Sequence, residues 1–376
     1  MSTEAEKKSS EAAKVPFVRI AKRTALPIWK SWGIRLLSVL LALIISALFI
    51  FSVTGLDPIA VYVVMWDGTF KSSYSFITTL RDTAMLLCIS VALAPAFRMK
   101  FWNIGAEGQV LAGGLCTALV MIYLGNLLPQ WLLLPLMFVS AVAGGALWAF
   151  IPAWFKARWN TNETLFTLMM NYVAINIVDC LTNIWRGAKS SMGNINASTQ
   201  AGWFPLIFGY RFTLNIIIVA VLSVGMYMYL RFTKHGYEIA VIGESENTAK
   251  YIGINVRKVV VRTMLLSGAI CGIAGFITVA GKNMTISSGT AEGFGFTAII
   301  VAWLAKFNPG YMALISFLLI FLQKGATQIA SSYAALNDYA SSIVTGIILF
   351  CILGSEFFVN YSLIFRGKHQ KGGEKA

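Results

Sequence analysis

An all-α, polytopic transmembrane helical bundle is the fold class this sequence predicts, and three observations predict it. Hydrophobic residues make up 57% of the 376 residues and charged residues only 12%, against about 25% charged in an ordinary soluble domain. The apolar residues come in blocks. Residues 36–53, 212–230 and 263–281 are each free of charge and match the roughly 20 residues that carry a helix across about 30 Å of hydrocarbon. The basic residues fall between the blocks, where membrane proteins use them to fix orientation.

Taken in order, about ten membrane segments are expected: 34–54, 82–98, 108–125, 132–155, 163–181, 212–230, 263–281, 293–306, 310–323 and 339–358. The first begins too late and runs too long for a secretory signal, so it reads as an uncleaved span. The uncharged stretch 110–155 is too long for one crossing, and Leu128-Pro129-Gln130 is the natural turn that splits it. Segments 293–306 and 310–323 are short, and must be tilted, broken or shielded by neighbours.

Orientation follows from counting. With the N-terminus inside, 23 of the 30 Lys and Arg fall in inside regions: through Arg35, at 98–100, 156–158, 231–262 and 306, and from Arg366 on. The seven left outside are Lys71, Arg81, Arg186, Lys189, Arg211, Lys282 and Lys324. This asymmetry predicts both termini in the cytoplasm. The expected organisation is a cytoplasmic tail over 1–33, a transmembrane domain over 34–366 and a cytoplasmic tail over 367–376. Within the domain, 182–211 is an external loop and 231–262 a cytoplasmic one. The latter mixes charge with Ile239, Val241, Ile242, Tyr251 and Ile252, the pattern of a short amphipathic helix.

The net charge of +14 belongs to this topology and not to a nucleic-acid surface. Cys88, Cys116, Cys180, Cys271 and Cys351 lie in or beside apolar segments with no C-x-x-C spacing, and read as packing residues. Two histidines make an ordinary metal site improbable. Neither a phosphate-binding G-x-x-x-x-G-K-[ST] loop nor H-E-x-x-H or G-x-S-x-G is present. The chain is expected to be no enzyme and to bind no cofactor or metal.

Four segments carry unusual chemistry. In Asn103-Ile104-Gly105-Ala106-Glu107-Gly108-Gln109, two glycines permit a helix break, and Asn103, Glu107 and Gln109 either line a solute path or gate, or form a tight turn with Glu107 solvated near a helix start. Asn162-Glu163 suits a helix N-cap, whereas Asn171, inside an apolar run, needs a partner on another helix or faces a pore. Gly293-Phe294-Gly295-Phe296 permits tight crossing, or a gate made by Phe294 and Phe296. Ser267-Gly268 with Gly272 and Gly275 reads as small-residue packing.

Together these segments resemble the permease family of branched-chain amino acid, simple-sugar and nucleoside ABC importers, most closely its nucleoside and simple-sugar branch. The resemblance lies in Asn103–Gln109, Asn162-Glu163-Thr164 with Leu168-Met169-Met170-Asn171-Tyr172, Gly243 through Asn247–Ile254, Ser267-Gly268-Ala269, and Gly293–Phe296 through Asn308-Pro309-Gly310. Thr297 stands where an acidic residue is common in the family, and Ala305 where glycine is usual. The resemblance implies a permease subunit for a small polar solute, a nucleoside or a simple sugar, in a bacterial cytoplasmic membrane. It implies cytoplasmic ABC ATPase subunits holding ATP and Mg, a second permease subunit and an external or periplasmic solute-binding (lipo)protein as partners. It also makes Glu244, Asn247, Ala249, Tyr251, Ile252, Gly253 and Ile254 a helix that couples to the ATPase. The competing expectation is a secondary transporter or channel, which would need ionisable groups within its spans.

Overall fold

The computed structural model describes residues 18–22, 27–333 and 338–365. The tails expected over 1–33 and 367–376 lie largely outside the described residues. The rest is dominated by thirteen α-helices, and divides into two compact units, one of residues 1–67 with 325–376 and one of residues 68–324.

In the first unit, α1 (Ile28–Thr54) packs on α13 (Asp338–Asn360), and the Ser38 hydroxyl donates to the Cys351 carbonyl. The first helix stops where Gly55 takes a left-handed conformation and donates its N–H to the Phe51 carbonyl, a common helix terminator. Most large apolar side chains of α1, among them Leu37, Leu40 and Leu48, are exposed. In water that would be a liability, whereas against lipid it is the expected face. Tyr62, on α2 (Pro58–Phe70), donates its hydroxyl to the Leu43 carbonyl at 2.5 Å. Two short strands, β1 (Val18–Lys22) and β2 (Tyr361–Phe365), pair antiparallel with Val18 opposite Phe365.

The second unit holds α3 (Ser73–Arg98), α4 (Ala106–Leu124), α5 (Gln130–Trp159), α6 (Glu163–Arg186) and α7 (Thr213–Phe232). After these come α8 (Lys234–Glu244), α9 (Glu246–Tyr251), α10 (Val256–Thr278), a π-helical turn (Val279–Asn283), α11 (Phe294–Leu304) and most of α12 (Pro309–Ser332). Helices α3 and α10 are mostly buried and form the centre. Helix α10 packs on α4 and α5 with backbones in contact. A Cβ on Gly272 would lie 2.1 Å from the Ala141 carbonyl oxygen, and one on Gly145 2.2 Å from that of Gly268. The small-residue run therefore works as close-packing surface, because only hydrogen fits between these chains.

Eight helices among the described residues are long and apolar enough to cross a membrane: α1, α3, α4, α5, α6, α7, α10 with its π turn, and α12. Two shorter apolar stretches, Phe294–Leu304 and Gly346–Val359, stand beside them. The segment expected over 310–323 is longer than its sequence pattern indicated, since α12 runs through Lys324 to Ser332. The one over 293–306 is shorter: eleven residues at 1.5 Å each give α11 (Phe294–Leu304) about 16 Å, half a hydrocarbon core.

Candidate functional site

The polar segment between α3 and α4 does not form a solvated turn. After Arg98 the chain turns through Lys100, at φ 61°, and runs irregularly to Gly105 before α4 starts. Irregular backbone at membrane depth must have its polar groups satisfied by protein, and here they are. Asn103 donates to Ser267 Oγ on α10 at 3.2 Å and exchanges two bonds with the Gln109 amide, at 3.1 and 3.3 Å. Asn171, on α6, accepts the Gly108 N–H at 2.8 Å and donates to the Ile104 carbonyl at 2.9 Å. The mid-span amide thus has its partners on a neighbouring segment, as a buried amide requires. Thr167, one turn earlier, accepts the Ile104 N–H at 3.1 Å.

Glu107 reaches the start of α11. Its two carboxylate oxygens accept the N–H groups of Gly293, at 2.9 Å, and Gly295, at 2.8 Å. Gly293 sits at φ 70°, and a Cβ on Gly295 would fall 2.5 Å from the Glu107 nitrogen. The first glycine supplies the left-handed turn that opens α11, and the second lets the carboxylate close on it. A helix N-terminus presents unpaired N–H groups and the positive end of its dipole. A buried carboxylate answers both. At its other end α11 is held by aromatic rings: Trp303 stacks on Trp102 with centroids 5.4 Å apart, and Phe97 lies 6.0 Å from Trp303. The short helix is thus fastened at both ends to the 97–107 segment.

Of the residues singled out in the sequence for a path or gate, Asn103, Glu107, Gln109, Asn171 and Phe294 are buried and gathered around this junction. Phe296 is 45% exposed and belongs to a different face of α11. Asn162 caps α6 by accepting the Leu165 N–H at 3.1 Å, and Glu163 pairs with Lys156 at 2.8 Å.

A second polar site was not visible in the sequence. Asp82, read there as the edge of a span, lies nine residues inside α3 with 7% of its side chain exposed. Three cations surround it. Arg81 Nε approaches to 2.9 Å, Lys282 Nζ to 3.0 Å and Lys324 Nζ to 2.8 Å. Lys282 also meets Glu292 at 2.7 Å, and its ammonium lies 5.7 Å from the centre of the Phe294 ring. Lys282 belongs to the π-helical turn, a distortion often found at functional sites. All three cations were expected in external connections, but the helices continue through them. The loop expected over 182–211 folds back on this turn. Phe204 donates its N–H to the Ala280 carbonyl at 3.0 Å, and Ile195 donates to that of Met284 at 2.8 Å.

The connection 231–262 contains two helices. Thr233 caps α8 and Ser245 caps α9 through side-chain oxygens that accept the Gly236 and Thr248 N–H groups. Glu244 closes α8, while α9 carries Asn247 and buried Ala249. At the end of α9, Tyr251 is 92% exposed and Ile252 half exposed, and Gly253 turns the chain at φ 85° into Ile254 and α10. Lys250 and Glu246 pair at 2.7 Å along the exposed side. Among the described residues no cluster of His, Cys, Asp and Glu could hold a metal ion.

Residues 75–353 match the family described as branched-chain amino acid transport system / permease component. The guanosine ABC transporter permease protein NupP of Bacillus subtilis (strain 168) is 31% identical over 90% of this chain and 97% of its own length. The glucose ABC transporter permease protein TsgB13 of Haloferax volcanii is 29% identical over 92% of this chain and 93% of its own. The nucleoside ABC transporter permease protein NupB of Lactococcus lactis subsp. cremoris is 26% identical over 79% and 84%. A bundle of membrane-length helices and a match across most of the chain agree: the protein belongs to the branched-chain amino acid transport system / permease component family, as a multi-pass membrane permease.

Proposed function

We propose that this chain is the permease of an ATP-driven importer whose solute is a nucleoside, with a simple sugar as the alternative. The observation that carries the energy-coupling part is Tyr251. An aromatic side chain 92% exposed beside half-exposed Ile252, on a short capped helix outside the spans, has the form of a knob awaiting a partner's groove. On this reading α8 and α9, including Glu244, Asn247, Ala249 and Tyr251 through Ile254, dock on a cytoplasmic ABC ATPase that holds the ATP and Mg. Closure of the ATPases then moves these helices as rigid bodies. A second permease completes the path, and an external binding protein delivers the solute. The solute assignment rests on the relatives named for guanosine, nucleoside and glucose transport.

In the same reading the membrane is the bacterial cytoplasmic one, both termini face inward, and 231–262 is cytoplasmic. The junction of Asn103, Glu107, Gln109, Asn171 and Phe294, with Phe296 beside it, serves as the gate rather than as a tight binding site. The cluster around Asp82 and the buried Glu107 carboxylate are features a secondary transporter would share, because ionisable groups within spans can couple to ions. Uptake of labelled nucleoside in cells separates the two. The importer predicts uptake that survives collapse of the ion gradient, stops when ATP is depleted, and is lost with ATPase co-purification in Tyr251→Glu. Uptake that follows the ion gradient overturns it. So does a cysteine at position 250 that an impermeant reagent labels from outside intact cells.

A further inference from the structure

A basic cavity of about 490 Å3 opens where α3, α7, α8 and the α11–α12 connection meet. That is within the range of about 300–1,000 Å3 typical of small-ligand sites. Its lining includes Arg98, Arg231 and Lys306, the hydroxyl-bearing Tyr227 and Tyr237, and Asn308, and no Asp or Glu. The acid next to Tyr237, Glu238, is committed to Arg262 at 2.7 Å. Arg98 spends one bond on the Leu230 carbonyl at 3.3 Å, and Arg231 one on Tyr227 Oη at 2.5 Å. Each guanidinium keeps further donors.

Two features of the backbone shape this side of the cavity, the second of them adding to the positive field. Lys306 and Phe307 both adopt the left-handed conformation, at φ 49° and 61°, an arrangement that non-glycine residues hold only under constraint from their surroundings. Directly after them Asn308 caps α12, accepting the Gly310 N–H at 3.0 Å, so the positive end of a 24-residue helix faces the same cavity.

The position matters as much as the charge. Arg98 and Arg231 sit in the last turns of two membrane-length helices. Exposed Tyr237 lines the cavity, exposed Phe232 follows Arg231 in the chain, and exposed Trp303 lies 5.2 Å from the lining residue Phe307, a set of aromatic side chains of the kind found at a lipid–water boundary. We propose that this cavity binds the phosphodiester headgroup of an anionic phospholipid. Basic recesses between membrane helices are known to recognise such headgroups, and a lipid seated here would touch α8, the helix that leads to Tyr251.

The test is native mass spectrometry of the full-length chain, released from detergent with added phosphatidylglycerol or phosphatidylcholine. The expected result is one phosphatidylglycerol retained per chain and no retained phosphatidylcholine. That lipid is lost in Lys306→Gln with Arg231→Gln and restored in Lys306→Arg with Arg231→Lys. Unchanged melting temperature in the Gln variant shows that the loss is not unfolding. Retention of the lipid in a folded Gln variant, or equal retention of phosphatidylcholine, overturns the proposal. Displacement of the lipid by millimolar inorganic phosphate assigns the site to a small soluble phosphoryl ligand and overturns the lipid source. A Gln variant that keeps its lipid but loses an ATPase partner overturns it in favour of a protein contact.

Discussion

The two polar sites inside the helices of residues 68–324 solve the same problem in opposite ways. Glu107 is held by two backbone N–H groups, and the Asn171 amide beside it holds the Gly108 N–H, so the positions are fixed by the chain itself. Around Asp82 the partners are the ends of long flexible cations. One of these, Lys282, serves two carboxylates, and Lys324 and Glu292 are each about one-third exposed. The first arrangement can only be made or broken. The second can exchange partners without moving a helix. A buried polar group costs little once every bond is satisfied, so both are compatible with apolar surroundings, but only the first specifies a backbone geometry.

Substitutions sharpen the contrast, the largest effect expected first. Asp82→Ala leaves Arg81, Lys282 and Lys324 without their shared counter-charge. Removing one partner of a buried ion pair costs about 3–5 kcal/mol, and should appear as a large fall in melting temperature in detergent. A variant that melts like the parent would show that the cations rearrange freely. Glu107→Ala orphans the N–H groups of Gly293 and Gly295, which costs roughly 2–4 kcal/mol in all. Glu107→Gln should recover about half of that, because its single carbonyl can satisfy one of the two donors. Equal losses for the two variants would mean that charge at the helix start outweighs the individual bonds.

Smaller changes follow. Gly272→Ala forces a methyl against the Ala141 carbonyl and should cost about 1–3 kcal/mol by overpacking, read in the same melting assay. Glu292→Gln should cost no more than about 1 kcal/mol, since a partly exposed ion pair contributes little. Its small effect should vanish at high salt, whereas the Glu107 variants should be indifferent to salt. Salt-sensitive melting in Glu107→Gln would erase the distinction between the sites.

The long spans were legible in the sequence because lipid imposes a length, and uninterrupted apolar runs record it. The α4–α5 split at Pro129, the Asn162 cap and the glycine surface of α10 were legible for similar local reasons. What escaped was set by tertiary structure. The shortness of 293–306 and its Gly-Phe alternation were legible, but only the Glu107 carboxylate nearly two hundred residues earlier shows that the start of Phe294–Leu304 lies inside the bundle. Asp82, Lys282 and Lys324 each flank an apolar block, so each alone reads as a loop charge. Their convergence has no local signature. The nearest hint was their placement, with Arg81-Asp82 and Lys282 both set against blocks with no other charge.

The contact between Gly272, Gly145 and Gly268 limits how this molecule can work. With carbonyl oxygens facing hydrogen atoms across the seam, α4, α5 and α10 have no side-chain layer to slip on, and interlocked backbones transmit displacement rather than absorb it. They form a stator. On the proposed importer reading, alternation between outward and inward states would be carried by pieces hung on that stator, α11 and the α7–α9 arm first among them. A disulfide engineered between α4 and α10 should therefore be silent to uptake, while one that welds α11 to α3 should arrest it.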